Sequence, residues 1–182
     1  DPGQFSASPL PPGLGFDTIT GLLSGIPLIE GTFTVTISAT NAAGVDTETL
    51  ALNILPAAPV ISSSGTAQAV LNQSFSYTIT ATNNPSSFDA TGLPNGLTIN
   101  NQTGVISGSA TVLGSFDVTL TARNAGGAGT LLLRLTVIPP EIPVIDSSDI
   151  ATAVINKPFS YQITATKNPV TFAISLPPDP QL

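Results

Sequence analysis

The sequence predicts an all-β chain of tandem antiparallel β-sandwich repeats, and three observations lead to this prediction. The first is composition: the 182 residues include 16 Gly and 17 Pro, and Val, Ile, Thr and Ser are frequent, which is typical of strands and turns. The second is an alternation of apolar and polar residues with a period of two. The third is an internal repeat of about 84 residues, a period that indicates a modular array.

The repeat is visible as ungapped matches between distant segments. The residues LPPGL at positions 10–14 match LPNGL at positions 93–97, an offset of 83. Farther along the chain, FSY at positions 75–77 recurs at positions 159–161, an offset of 84. The change of offset places one inserted residue in the Pro-rich linker between repeats.

These matches divide the chain into three parts. We expect residues 1–57 to be the C-terminal part of one repeat, residues 58–140 to be a complete repeat, and residues 141–182 to be the N-terminal part of a further repeat. Two explanations of the incomplete parts stay open. Either the chain is a piece of a longer array, or the tail of one copy completes the head of the next copy by strand addition.

The strands of the complete repeat are predicted from alternation. Phe75, Tyr77, Ile79 and Ala81 alternate with Ser and Thr, which indicates a strand with one buried face. In chain order, the predicted strands cover residues 60–63, 67–71, 75–81, 87–91, 97–100 and 104–107, followed by apolar rows at 116–122 and 131–137. Seven or eight short strands in about 84 residues are typical of an Ig-like sandwich.

Two kinds of turn join these strands. In the turn that begins at Asn100, the Asn100 side chain is expected to accept backbone N–H groups, and Gly104 is expected to take the left-handed conformation that ends the turn. In the first repeat, Asp17 and Gly21 are expected to have the same two roles. The residues NAGG at positions 124–127 are expected to form a hairpin loop in which Gly supplies a positive φ.

The composition excludes several classes of function. The sequence has no His and no Cys, so imidazole or thiolate metal sites, His-activated nucleophiles and disulfides are excluded, and we expect no enzyme activity. With 11 acidic residues against 4 basic ones and a net charge of -7, neither nucleic acid nor an anionic membrane surface is an expected partner. Since no apolar run approaches about 18 residues, no membrane insertion is expected.

The motif that runs from Leu10 to Gly44, and again from Leu93 to Gly127, resembles a known family. The shared pattern is LPxGL, then an Asx turn ending in TG and followed by SG, then G(T/S)FxVT and AxNxxG. It is similar to the bacterial "putative Ig domain" of haemagglutinins and surface proteins, a relative of dystroglycan-type cadherin-like repeats. The resemblance implies tandem Ig-like, cadherin-like sandwiches in extracellular, secreted or surface-anchored bacterial proteins. It implies no fixed activity.

The relation to cadherins raises the question of calcium, which cadherins bind between domains through clustered acids. Glu141, Asp146 and Asp149 gather near the second linker and are the candidates for such a site, whereas no acid lies between Asn53 and Asn72 around the first linker. Calcium requires six to eight oxygen ligands, and the alternative is that these acids occupy solvated turns. No other cofactor is expected.

These observations predict a structural and adhesive segment that acts as stalk, spacer or filament body, with short Pro-rich linkers favouring a semi-rigid rod. The expected partners are proteins, either copies of the chain or neighbouring repeats. One alternative is an adhesin or glycan-binding module. Most aromatic residues fall on inward strand positions, which leaves Phe88 and Phe172 as the aromatic residues that loops could present to a glycan. Another alternative is an accessory domain of a large secreted hydrolase.

Overall fold

The computed structural model describes residues 3–167 and 169–175, which belong to two compact units, Asp1–Val137 and Ile138–Leu182. The described residues form twelve β-strands and contain no helix. The predicted all-β, Ig-like fold class is therefore confirmed. Within this described part of the chain, no helix has the length and apolar character needed to cross a membrane. The predicted parts 1–57 and 141–182 include residues 1, 2, 168 and 176–182, which lie outside the described residues.

The first unit contains two groups of strands, which we call the first and second modules. The strands of the first module are β1 (Gln4–Ser8), β2 (Leu14–Phe16), β3 (Leu23–Gly25), β4 (Gly31–Asn41) and β5 (Gly44–Ile54). They form an antiparallel sheet in the order β1-β4-β5 and a two-stranded sheet of β2 and β3.

The second module holds the remaining seven strands. These are β6 (Thr66–Val70), β7 (Ser74–Thr78), β8 (Ser87–Thr91), β9 (Leu97–Asn100), β10 (Val105–Ser109), β11 (Gly114–Asn124) and β12 (Gly127–Ile138). They form one sheet in the order β6-β12-β11-β8 and a second sheet in the order β7-β10-β9. The apolar faces of the two sheets meet in one core, so the module is a sandwich.

The core of the second module follows from alternation along its strands. Leu120 on β11, Leu133 and Leu135 on β12, and Ile106 on β10 are fully buried, while the Thr and Arg residues between them lie nearer solvent. Fully burying an aliphatic side chain of this size stabilises the fold by about 1.5–3 kcal/mol. The rows predicted at 116–122 and 131–137 thus lie within the long paired strands β11 and β12.

One predicted strand of the second module is absent and another is shorter than expected. Residues 60–63 form no strand and contribute a single bridge between Ile61 and Ala81. β7 ends at Thr78, and the N–H of Ile79 prolongs the pairing with β10 by one bond, at 2.9 Å, to the carbonyl of Gly104 in the turn between β9 and β10. The chain then turns through Asn83 and Asn84, whose φ angles of 58° and 45° are left-handed.

The first module is less completely buried than the second. Val35 on β4 is fully buried, whereas Leu23, Ile37 and Leu50, at the repeat positions of Ile106, Leu120 and Leu133, are partly exposed. In the second module, β6 and β7 lie beside β12 and β10. Among the described residues, no strand lies in that way beside β5 and β3 of the first module.

The second unit keeps the local contacts of a module without its strands. Ile145 and Ala165 form a bridge, as Ile61 and Ala81 do, and the Tyr161 hydroxyl donates to the carbonyl of Ser148 as Tyr77 does to that of Ser64. The inward positions predicted for Phe159 and Tyr161 are not buried: 54% and 42% of their surfaces are exposed. The reason is that no β10 or β12 counterpart lies over them among the described residues.

Candidate functional site

The linker between the two modules is held by two asparagine side chains. The Asn124 Nδ2 donates to the carbonyl of Ala57 at 2.7 Å and to the carbonyl of Asn83 at 2.8 Å. The Asn83 Nδ2 donates to the carbonyl of Ala58, also at 2.8 Å. We call Asn83, Asn124 and linker residues 56–60 the linker clamp.

Local structure orients both donors. Asn124 ends β11, and its Oδ1 accepts the N–H of Gly126 in an Asx turn, at 2.9 Å, which points the Nδ2 away from the hairpin. Asn83 adopts a left-handed φ of 58°, a conformation that Asn tolerates better than most residues. Each net hydrogen bond of this kind contributes about 0.5–1.5 kcal/mol.

Two glycines of the β11–β12 hairpin let the linker backbone approach closely. A Cβ on Gly126 would lie 1.7 Å from the carbonyl oxygen of Pro56, and a Cβ on Gly129 would lie 2.0 Å from that of Pro59. Since the obstructing atoms are backbone, no side-chain rotation could relieve the overlap. Glycine at both positions is therefore a condition for the clamped arrangement.

The equivalent hairpin of the first module is built differently. Asn41 forms the same Asx turn, with its Oδ1 accepting the N–H groups of Ala43 and Gly44. However, Ala43 and Asp46 stand at the repeat positions of Gly126 and Gly129. The first module's hairpin therefore has side chains where the clamp requires none.

A groove with a mixed apolar and polar lining is formed partly by residues of the clamp, Asn83 and Asn124 among them. Its volume is about 800 Å³, and its lining includes Ile26, Leu28, Ile29 and Leu55, each more than half exposed. At the repeat positions of Ile26 and Leu28 the second module has Ser109 and Thr111. The second module therefore has polar residues at two positions where the first module has apolar residues that line the groove.

The predicted turn residues lie toward the same end of each module as its hairpin. Phe5, which pairs with Ala39 near the first hairpin, donates its N–H to the carbonyl of Thr18, and Phe88, which pairs with Ala122 near the second, donates to that of Asn101. Asp17 Oδ1 accepts the N–H groups of Ile19 and Thr20, at 2.8 and 3.1 Å, and Gly21 has a φ of 74°. Asn100 Oδ1 accepts those of Gln102 and Thr103, at 3.0 and 3.1 Å, and Gly104 has a φ of 70°. The bonds from Thr20 and Ile19 lower the pKa of Asp17 below its ordinary value, because they stabilise the carboxylate.

The structure does not bring the three calcium candidates together. Glu141 pairs with Lys167 in the second unit, while Asp146 and Asp149 lie in exposed loop segments. Within the described residues, no three acidic side chains are grouped so that they could hold a metal ion. Of the two loop aromatics, Phe88 packs against the core of the second module, whereas Phe172 is half exposed.

A hollow marks the open side of the first module. It has a volume of about 300 Å³, and its lining includes Phe5, Phe16, Ile37, Asp46 and Glu48. Phe5, Phe16 and Ile37 stand at the repeat positions of Phe88, Ile99 and Leu120. In the second module those three residues pack together with Ile79 in the core.

The sequence pattern that the two repeats share predicts positions 124–127 as a hairpin loop and does not reveal the clamp. The signal lay in a difference, because Gly126 and Gly129 are replaced by Ala43 and Asp46 in the other repeat.

Comparison with known proteins gives one family and several relatives. The model of the family described as "Putative Ig domain" matches residues 3–55 and 58–138. The serine-rich adhesin for platelets of Staphylococcus aureus is 32% identical over 127 residues, which are 66% of this chain and 6% of the adhesin. The chain spans 6% to 9% of the length of the first curated relatives it matches.

Solved structures give the fold. The extracellular domains 3–5 of Drosophila OTK match with a TM-score of 0.54 and 17% identity, over 71% of this chain and 47% of that chain. A Bacteroides fragilis protein described as a "putative alpha-galactosidase" is 30% identical over 48% of this chain and 19% of that chain. The TM-score of this match is 0.43.

Proposed function

Because the chain belongs to the "Putative Ig domain" family, we propose that it is a structural spacer in an extracellular surface protein, holding Ig-like modules at a fixed relative orientation. Its curated relatives are serine-rich adhesins for platelets, of which it spans a small part. Family and relatives favour a non-enzymatic role. The main support for the proposal is the linker clamp, because a spacer keeps its modules at a fixed relative orientation only where the linkers between them are stiff.

The clamp would make the joint stiff in two ways. Pro56 and Pro59 restrict the linker backbone, and the amides of Asn83 and Asn124 tie its carbonyls to the second module. Modules joined by an unclamped linker are expected to move relative to each other. In this proposal residues 1–57 and 141–182 are parts of further modules on either side of residues 58–140.

The test removes the donor of the clamp and keeps the turn. In Asn124→Asp the Oδ1 can still accept the N–H of Gly126, but the Nδ2 that binds Ala57 and Asn83 is lost, and a carboxylate faces two carbonyls. Asn41→Asp is the matched control, because Asn41 forms the same turn in the other module. The measurement is ¹⁵N NMR relaxation, which reports the rotational tumbling of each module.

We expect the two modules to tumble with one correlation time in the parent chain and in Asn41→Asp. In Asn124→Asp they should tumble with separate, shorter correlation times, while the amide signals of the second module keep their folded dispersion. Separate tumbling already in the parent chain would refute the stiff joint and the spacer function that rests on it.

A second candidate function is adhesion through the groove beside the clamp. Its exposed aliphatic lining (Ile26, Leu28, Ile29 and Leu55) favours contact with an apolar protein surface, and the name of the staphylococcal relative points to platelets as the surface to try. Beads coated with the chain should bind platelets, and Ile26→Ser with Leu28→Thr should reduce binding. Leu132→Thr, which changes an exposed residue outside the groove, should not. Equal binding by all variants would exclude this groove.

A further inference from the structure

The chain contains three Asn-x-Ser/Thr triplets, at residues 72–74, 84–86 and 101–103. This triplet is the acceptor pattern of N-linked glycosylation, provided that its middle residue is not proline. Pro85 therefore excludes the triplet that begins at Asn84. The two that remain begin at Asn72 and Asn101, and the structure separates them.

The Asn101 amide is already engaged within the second module. Its Nδ2 donates to the carbonyl of Phe88 at 2.8 Å, and the N–H of Phe88 donates to the carbonyl of Asn101, also at 2.8 Å. This reciprocal pair ties the turn after β9 to β8. A sugar could reach the Asn101 nitrogen only after its bond to Phe88 had opened, so the folded module disfavours this site.

Asn72, in contrast, is presented at the tip of the turn between β6 and β7. Its φ of 59° is left-handed, and the N–H of Gln73 closes the turn on the carbonyl of Val70 at 3.1 Å. Asn72 is exposed. It is not one of the asparagines whose amides donate to backbone carbonyls among the described residues, which are Asn83, Asn101 and Asn124. Its Nδ2 is therefore accessible to an enzyme.

The hydroxyl of this triplet is accessible too. Ser74 is the first residue of β7, lies opposite Ser109 of β10 and is exposed. The hydroxyl at the third position is part of the acceptor pattern. Ser76 lies two residues farther along, on the same face of the strand, and is equally an exposed serine. It provides a matched control.

The backbone of Asn72 holds the turn beside an apolar loop. Its N–H donates to the carbonyl of Ala110 at 2.8 Å, where the connection between β10 and β11 begins. Val112 and Leu113 in this connection are 45% and 49% exposed. A glycan is bulky and solubilising, and on Asn72 it would lie close to these two apolar side chains.

We propose that Asn72 is an N-glycosylation site of the folded second module. The donor is a sugar whose anomeric carbon carries a phosphate leaving group. The Asn72 Nδ2 forms a bond to that carbon, the bond from the carbon to the phosphate oxygen breaks, and the amide nitrogen loses one proton as the phosphate group leaves. The proposal goes beyond the spacer role and does not depend on the linker clamp, because it concerns a different turn of the module.

The first test offers the folded chain to two enzymes in separate reactions. One is a soluble N-glycosyltransferase with UDP-glucose, and the other is an oligosaccharyltransferase with a lipid-linked oligosaccharide. Mass spectrometry of proteolytic peptides should find the sugar on Asn72, with at least tenfold less on Asn101. Modification by one enzyme alone would identify the class of donor. A synthetic peptide of residues 69–77 is the positive control, and modification of this peptide without modification of the folded chain would overturn the proposal.

Paired serine variants provide the second test. Ser74→Ala removes the hydroxyl of the triplet and should lower modification of Asn72 at least tenfold. Ser76→Ala removes an exposed hydroxyl from the same face of β7 and should leave modification unchanged. Equal modification of Asn72 in the two variants, or of Asn72 and Asn101 in the parent chain, would overturn the proposal.

The second unit contains the same turn without the triplet. Asn156 has a φ of 60°, and the N–H of Lys157 donates to the carbonyl of Val154 as that of Gln73 does to Val70, but Pro158 stands at the repeat position of Ser74. Asn156 should stay unmodified in the parent chain, and Pro158→Ser should make it an acceptor. Sugar on Asn156 of the parent chain would mean that the triplet is not what the enzyme recognises and would overturn the proposal.

Discussion

The Asn124 Nδ2 lies 2.7 Å from the carbonyl oxygen of Ala57, a residue 67 positions earlier in the chain. The bond joins the tip of a hairpin to the linker that leads into the same module. The hairpin therefore controls the conformation of a segment that it does not adjoin in sequence.

Replacing Gly126 with Ala should release the linker and leave the hairpin folded. Gly126 does not have a positive φ, and Ala43 occupies the same place in the first module's hairpin. The new Cβ, however, would meet the carbonyl of Pro56. Losing about 1.4 kcal/mol of linker contacts corresponds to about a tenfold change in the open population. An elastase should therefore cleave between Ala57 and Ala58 about tenfold faster.

The control for this prediction is Ala43→Gly, which changes the equivalent residue in a hairpin without a clamped linker. Its cleavage rate at Ala57 should equal that of the parent chain. Equal rates in Gly126→Ala and the parent chain would mean that the glycine contact does not hold the linker.

Truncating a core residue should cost more in the second module than at the same repeat position in the first. Ile106 is fully buried, and Ile106→Ala should lower the free energy of unfolding by about 2–5 kcal/mol. Leu23→Ala should cost less, because Leu23 is already partly exposed. Urea unfolding followed by the amide NMR signals of each module gives both values, and equal losses would contradict the open first module.

Removing the hydroxyl of Tyr77 should destabilise the second module modestly. This hydroxyl donates to the carbonyl of Ser64 at 2.5 Å, so Tyr77→Phe should lower the free energy of unfolding by about 0.5–1.5 kcal/mol. Tyr161→Phe removes the same bond from the second unit and should leave the unfolding midpoint of the second module unchanged. A shift in both variants would tie the second unit to the stability of that module.

The stability of the first module should depend on pH through Asp17. The bonds from Thr20 and Ile19 lower the pKa of this carboxyl in the folded state. The contribution is therefore complete above the unfolded pKa of about 3.9 and is lost as the pH falls through the lower folded value. Asp17→Asn should abolish this dependence, measured by thermal unfolding between about pH 7 and pH 2.

The second module provides the inverse experiment. Asn100 makes the same turn with a neutral amide, so Asn100→Asp should introduce the acid-sensitive contribution there. Failure of both exchanges to move the pH profile would mean that the turn carboxylate does not affect stability.

The fold could be predicted largely from the sequence because alternation and repetition are local signals. Residues 87–91 and 97–100 were predicted as strands and are β8 and β9. Residues 60–63 were wrongly predicted as a strand, because their apolar alternation does not tell whether a partner strand runs beside them. Their one bridge, between Ile61 and Ala81, is set by the tertiary path of the chain.

The exposure of Phe159 and Tyr161 could not be predicted from pattern alone. Both residues alternate like Phe75 and Tyr77, and alternation indicates which face would be buried if a second sheet were present. Burial depends on that other sheet. The clamp was likewise unpredictable from propensity, since Asn124 serves its own turn through Oδ1 and the distant linker through Nδ2.

The pair of glycines that lets the linker approach the hairpin has a consequence for any long chain of such modules. Under the proposed clamp, a joint that faces a hairpin with Gly at both positions should resist bending, whereas side chains at those positions, such as those of Ala43 and Asp46, should leave a joint free to flex. Thermal bending would then be concentrated at the flexible joints. The persistence length of such a chain of modules would depend on how often those two hairpin positions are glycine. A single Gly-to-Ala replacement, which adds one methyl group, would be enough to introduce a flexible joint.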